Sequence, residues 1–533
     1  MNSVPKWGIG VALLIAALVI AALAALIVNA PSLDITSIWH DPYYRHVTYF
    51  SFYQALLSSV LSVGLAIPVA HALSRRQFFA RSLVLKLCAT TLVLPVLVGV
   101  FGLLAIYGNH GLLARGLAYW DLHLPFSIYG LGGILLAHLF FNLPYAGRLL
   151  LQSLESIPED QHKLCAHLGM SVWQKFKWVE WPRLRQQLPS IFGLVFMLCF
   201  TSFATVMALG GGPKSTTIEL AIYQAIKFDF DLQSGAILAL WQMVLCGGLA
   251  LVIQRFNRPI SLHSGYAESR IWGKDHRWSK AWDCFWIMVL LMLVVPPLGM
   301  VIVSGVNTQI GQVLRDSQFW LAVWASLRVA LCASVLALGA GVAMLLSSRA
   351  WRLQERDRRA DKLELVGTII LVTPGLVLST GLFLLLRAFT DAFSMAWWVV
   401  VLVNALMALP YVLKTLAQPM LHLAQQYQLL CASLGMRGWA RLRLVEWRVL
   451  RRPLASALAI SFMLSIGDLS AIALFGSQEF RTLPLYLFQL LGSYQMEAAA
   501  VVALILFLFS MGCFVLVETL FKARKSSTDE ISG

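Results

Sequence analysis

Two loops in this chain share one pattern of glycine, glutamate and tryptophan. The first reads LESIPEDQHKLCAHLGMSVWQKFKWVEWPRLRQQLP and the second LHLAQQYQLLCASLGMRGWARLRLVEWRVLRRPL. In each, an amphipathic stretch containing Ala166 or Ala432 runs into a Leu-Gly pair, Leu168-Gly169 or Leu434-Gly435. A second stretch, rich in aromatic and basic residues, then reaches Val-Glu-Trp at Val179-Glu180-Trp181 and Val445-Glu446-Trp447. Pro182 follows in the first loop, where the second has Arg448. Glycine permits a turn that a residue with a side chain resists. No pattern of a reacting group stands among them, and from the residues alone each loop reads as an amphipathic helix pair lying at a membrane interface.

Asp468 falls inside an apolar run. A carboxylate there is costly and faces a cavity or a partner, so it is a candidate for a translocation path, together with Ser202 at the matching place. The alternative is a structural acid at a helix-packing point. Arg328 also interrupts an apolar run, and snorkelling to the outer surface accounts for it. Gly210-Gly211-Gly212-Pro213-Lys214-Ser215 lacks the spacing of a phosphate-binding loop. The eight cysteines are scattered singly, which argues against a disulfide framework or a metal site. No HExxH, GxSxG or paired-carboxylate pattern stands out, so neither a catalytic residue nor a bound cofactor is expected in this chain.

The elements that carry these residues are membrane helices. Of the 533 residues, 59% are hydrophobic and 13% charged, about half the charge that a soluble domain uses. A span needs roughly 20 mostly apolar residues. Twelve such stretches are expected, at 7–28, 50–73, 87–107, 128–146, 188–209, 236–252, 285–303, 319–346, 366–385, 397–413, 454–475 and 498–520. The formal charge of +15 sits in short segments between them, which points away from nucleic acid. Lysine and arginine crowd alternate loops, at Arg75, Arg76 and Arg81, in the mid-chain linker, and at Arg349, Arg352, Arg356, Arg358 and Arg359. By the positive-inside rule both termini are cytosolic.

The chain is also duplicated. Leu143-Pro144-Tyr145 aligns with Leu409-Pro410-Tyr411, Gly169 with Gly435, and Phe196-Met197-Leu198 with Phe462-Met463-Leu464. Further upstream, Ser51 aligns with Ser326 and Pro95 with Pro374. The expected architecture is all-α, with two parallel six-helix repeats at 1–255 and 282–533 joined by a cytosolic linker at 256–281. The paired loops occupy about 155–187 and 421–453.

The spacing from Gly169 through Val179 to Pro182 resembles the EAA loop of permeases in binding-protein-dependent ABC importers. More of the chain, including FMLCFTSFATVMALGGGPKSTTIELAIYQA and MLSIGDLSAIALFG, is similar to the thiamine ABC transporter permeases of Gram-negative bacteria. The resemblance implies a type I importer permease in the bacterial inner membrane, importing thiamine and its phosphate esters. It implies two cytosolic ATP-binding subunits that hold the ATP, and a periplasmic substrate-binding protein. It gives the coupling of those subunits to Ala166, Leu168, Gly169, Val179, Glu180, Pro182, Ala432, Leu434, Gly435, Val445 and Glu446. One departure is that Lys163 and Leu429 stand where the motif has its glutamate. The rival readings are an iron(III) permease of the same fused layout, a secondary transporter and an inert scaffold.

Overall fold

A computed structural model describes residues 5–30, 40–122, 125–256, 277–368, 370, 373–389, 391, 394–436 and 442–522. All regular structure among them is helical. Ten helices are long and apolar enough to cross a membrane, and an eleventh candidate is a pair, Val172–Phe200 and Phe203–Leu209, bent by 51°. The expected span 366–385 is divided instead between Asp357–Thr368 and the shorter apolar helix Gly375–Arg387. The expected span 87–107 is likewise divided, into Arg81–Val93 and Val96–Tyr107. Proline is the cause in both. Pro95 and Pro374 lack an N–H, and a residue before proline is pushed out of the helical region, as Leu94 is with φ −62° and ψ 129°. Most of the mid-chain linker lies outside the described residues.

Two compact units form, one from Thr36–Ala221 and Val244–Thr308, the other from Met1–Ile35, Ile222–Met243 and Gln309–Gly533. In the first, Leu131–Glu155, Trp181–Phe200 and Arg277–Gly305 pack on the helix Pro42–Arg75. That helix buries Ser51, Ala55, Ser58, Ser59, Ser62 and Ala66, small residues that let neighbouring backbones come close. In the second, Ser317–Arg352 carries the corresponding role against Ala396–Ser433 and Trp447–Gly467. The repeat extends to single bonds. Ser51 Oγ accepts from the Ile218 N–H at 3.0 Å, and Ser326 Oγ accepts from the Leu483 N–H at 2.7 Å.

The first helix of each sequence half packs in the other half's unit. Trp7–Val28 lies on Gly375–Arg387 and Ser317–Arg352, while Arg277–Gly305 lies on Val96–Tyr107 and Pro42–Arg75. The two contacts are built alike, on glycine against backbone. A Cβ on Gly102 would collide with the Pro297 carbonyl, and one on Gly381 with the Ala22 carbonyl. The ends of the exchanged helices are tied down as well. Fully buried Asp283 accepts from Arg76 Nε at 2.6 Å and lies 3.5 Å from Arg75 Nη1. In the other unit Ser347 Oγ donates to the Pro5 carbonyl at 2.6 Å.

Candidate functional site

The paired loops begin with a helix that ends in a left-handed glycine. Glu159–His167 starts with two acids, Glu159 and Asp160, which favour the positive end of the helix dipole. Gly169 has φ +63°. The Met170 N–H reaches back to the Cys165 carbonyl at 3.1 Å, and the Gly169 N–H to Ala166 at 3.1 Å, which together close a Schellman turn. Gly435 has φ +65°, and the Met436 N–H bonds the Cys431 carbonyl at 2.8 Å. Added side chains would meet open space at both glycines, so backbone conformation selects glycine here. After Gly169, Ser171 and Gln174 form a reciprocal capping box that starts the next short helix.

Each loop then makes one π-helical turn, Phe176–Glu180 and Leu442–Glu446, ending on the glutamate of Val-Glu-Trp. Such a turn inserts a residue into the helical ladder and rotates the helix beyond it. Pro182 follows in the helix Trp181–Phe200, which runs on from that turn without a break. The faces of the two loops match. Leu164, Leu168 and Trp178 are exposed in the first, and Leu430, Leu434 and Leu444 at the corresponding places in the second. Cys165 and Cys431 are buried beneath them. Ala166, Val179 and Val445 are half-buried. The side chain of Ala432 lies outside the described residues.

The two glutamates point inward. Glu180 is 3% exposed and Glu446 9% exposed, so each needs a cationic partner. Glu446 Oε1 accepts from Arg349 Nη2 at 2.8 Å. Glu180 Oε2 lies 3.0 Å from His71 Nε2, at ion-pair distance though off hydrogen-bond geometry, and Lys175 Nζ is 3.5 Å from Oε1. The His71 ring also meets Phe176 edge-on, with centroids 5.1 Å apart. His162 stands close enough to Glu180 to interact with it; burial, and then Lys175, holds its imidazole below the usual histidine range. His71 and Arg349 both sit in the last turns of the second helix of their half. Sequence reading missed both partners, although basic residues were legible at those helix ends.

Ser202 and Asp468 each lie at a break between two helices, and the break at Ser202 bends its span by 51°. Ser202 lies just beyond the end of Trp181–Phe200 and donates from Oγ to the Cys199 carbonyl at 2.8 Å. Asp468 lies just beyond Trp447–Gly467 and accepts from Ser470 Oγ at 2.8 Å and from the Ala471 N–H at 3.3 Å. Asp468 thus takes up the Ala471 N–H in the first turn of the helix Ser470–Phe475. Arg328 is exposed, with its guanidinium 5.6 Å from the ring of Trp324, one turn toward the start of its helix. Among the described residues no cluster of His, Cys, Asp or Glu could hold a metal ion.

Comparison with known proteins places this geometry. The family described as binding-protein-dependent transport system inner membrane component matches residues 51–258 and 354–525. The chain is 49% identical over 529 residues to the thiamine transport system permease protein ThiP of Escherichia coli (strain K12), covering 99% of this chain and 98% of that protein. It is 50% identical over 531 residues to the protein of that name from Salmonella typhimurium (strain LT2), covering 99% and 98%. For the Haemophilus influenzae protein the identity is 44% over 483 residues, covering 90% and 89%. The resemblance read from the loops therefore holds across nearly the whole sequence. The chain belongs to the inner membrane components of binding-protein-dependent transport systems, and it contains the family's domain twice.

Proposed function

We propose that this chain is the membrane-spanning permease of an ATP-driven importer for thiamine and its phosphate esters. The observation that carries the reading is the duplicated exposed edge, Leu164 with Leu430, Leu168 with Leu434 and Trp178 with Leu444. Exposed apolar residues kept at matching places on two polar loops mark contact surfaces. Two equal surfaces on one chain suit two equal ATP-binding subunits on the cytosolic side. Arg75, Arg76, Arg349 and Arg352 lie at the ends of helices that meet these loops, as the positive-inside rule requires of a cytosolic face. That orientation puts both termini in the cytosol and the opposite loops in the periplasm, where a binding protein delivers cargo.

ATP is bound and hydrolysed on the partner subunits. Their closure moves the docked loops, and the rigid turns at Gly169 and Gly435 carry that displacement to the spans that follow them. The cargo is inferred from the relatives, which are named as thiamine permeases. Thiamine bears a fixed thiazolium cation, and Asp468 supplies a carboxylate at a break in a span, with Ser202 as its neutral counterpart. A half-buried carboxylate inside a span fits a cation path.

The test is uptake of labelled thiamine at nanomolar concentration in a strain deleted for this chain, alone and complemented. Uptake restored by the chain only when the ATP-binding subunits are present is the expected result. Complementation with Leu168→Glu/Leu434→Glu is expected to fail and to lose co-purification of those subunits. Thiamine uptake unaffected by deletion would sink the cargo assignment.

A further inference from the structure

The glutamates of the two loops are buried against the second span of their own half, and nothing in docking alone requires that. Aligned on Ser51 and Ser326, His71 falls opposite Leu346 and Arg349 opposite Ser74, one helical turn apart. The same junction is thus made twice with bases from different positions. A pairing merely left over from duplication would have kept its register. In both halves the π-helical turn ends on this glutamate and aims it at the second span.

We infer that Glu180 and Glu446 are positioning residues that latch each docking loop to the second span of its own half, through His71 and Arg349. The inference rests on the importer reading above. That span end also holds the exchanged helix, through Arg75 and Arg76 to Asp283 in one unit and through Ser347 to Pro5 in the other. Displacement of a loop therefore reaches the second span and the exchanged helix together, rather than the fifth span alone.

The two latches differ in chemistry. Arg349 presents a planar guanidinium that can bond two oxygens at once, whereas His71 presents an imidazole ring. The groups facing Glu180 are His71 from the second span, Lys175 from its own stretch and His162 from Glu159–His167. Arg75 and Arg76 are engaged with Asp283, and Arg352 with Asp361 and Glu364. The first latch thus has Lys175 beside Glu180 at 3.5 Å in addition to His71.

The experiment uses the whole complex, this chain with its ATP-binding subunits and binding protein, in proteoliposomes. The readout is thiamine accumulated per ATP hydrolysed. Arg349→Glu is expected to lower that ratio about tenfold, a usual size for a coupling interaction, and Arg349→Glu/Glu446→Arg to recover most of it. Arg349→Lys keeps the charge and covers the case in which the reversed charge prevents folding; it is expected to stay within about threefold of the unmodified complex. His71→Glu is expected to lower the ratio as well, and His71→Arg to stay within about threefold of the unmodified complex. An Arg349→Glu complex that couples normally, a double variant no better than the single, or a His71→Glu complex that couples normally would each overturn the latch. Absence of ATP-dependent thiamine uptake by the unmodified complex would overturn the importer reading itself.

Discussion

Arg349 donates to Glu446 across 2.8 Å, and both side chains are almost out of water, at 13% and 11% exposure. Removing one partner of such a pair strands the other charge, which is the expensive outcome; replacing both is cheaper. Glu446→Gln is expected to destabilise the chain by about 3 kcal/mol, the lower end for buried pairs, because some water still reaches this one. Thermal unfolding in detergent would show it as a lowered midpoint. An unchanged midpoint would mean that the pair carries no net stability.

Gly169→Val and Gly435→Val test the turns. The left-handed conformation costs a residue with a side chain roughly 1–2 kcal/mol, and more for a β-branched one. Since the surroundings are open, the variants should reach the membrane in normal amount. Thiamine uptake should drop several-fold while ATP hydrolysis by the assembled complex continues. Normal uptake would remove these turns from the coupling route.

Much of this arrangement is legible in the sequence, because polar loops repeat by chance far less often than apolar helices do. Gly169 with Gly435 and Glu180 with Glu446 stand out in that way. Pro95 and Pro374 align as well, and their helix-breaking chemistry accounts for the two divided spans. The exchange of first helices is not legible. Trp7–Val28 is apolar all round, and an apolar face carries no address for the helix it will meet. His71 and Arg349 escape notice because they stand in different registers, so alignment of the halves does not bring them together. Asp283 is hidden beside a basic linker, where a single acid looks like surface charge rather than a buried anchor.

The exchanged helices depend on close backbone contact. Gly381→Leu would drive a side chain into the Ala22 carbonyl, and Gly102→Leu into that of Pro297. Backbone cannot move aside as a flexible side chain does, so each variant should cost about 1–3 kcal/mol. Reduced membrane yield and a lower unfolding midpoint are the expected outcomes. Wild-type yield for both would show that these helices pack more loosely than the geometry requires.

Asp468→Asn separates capping from charge. Asparagine can place its one oxygen on the Ala471 N–H and donate from Nδ2 to Ser470 Oγ, whose hydroxyl turns to accept, so the break at the end of Trp447–Gly467 should keep its form. Uptake should nevertheless fall several-fold at unchanged abundance, since a cation path loses its carboxylate. Uptake equal to that of the unmodified chain would assign Asp468 to capping only.

The exchange of first helices also sets an order of events at the ribosome. Trp7–Val28 emerges early, yet Ser317–Arg352 and Gly375–Arg387, on which it packs, are made roughly 300 residues later. At about 5–20 residues per second, that helix waits roughly 15 to 60 seconds in the bilayer without its final neighbours. For that interval only lipid covers it, which its uniformly apolar surface tolerates. The first half therefore cannot complete its packing during its own synthesis, and the protein matures only when the second half has been inserted.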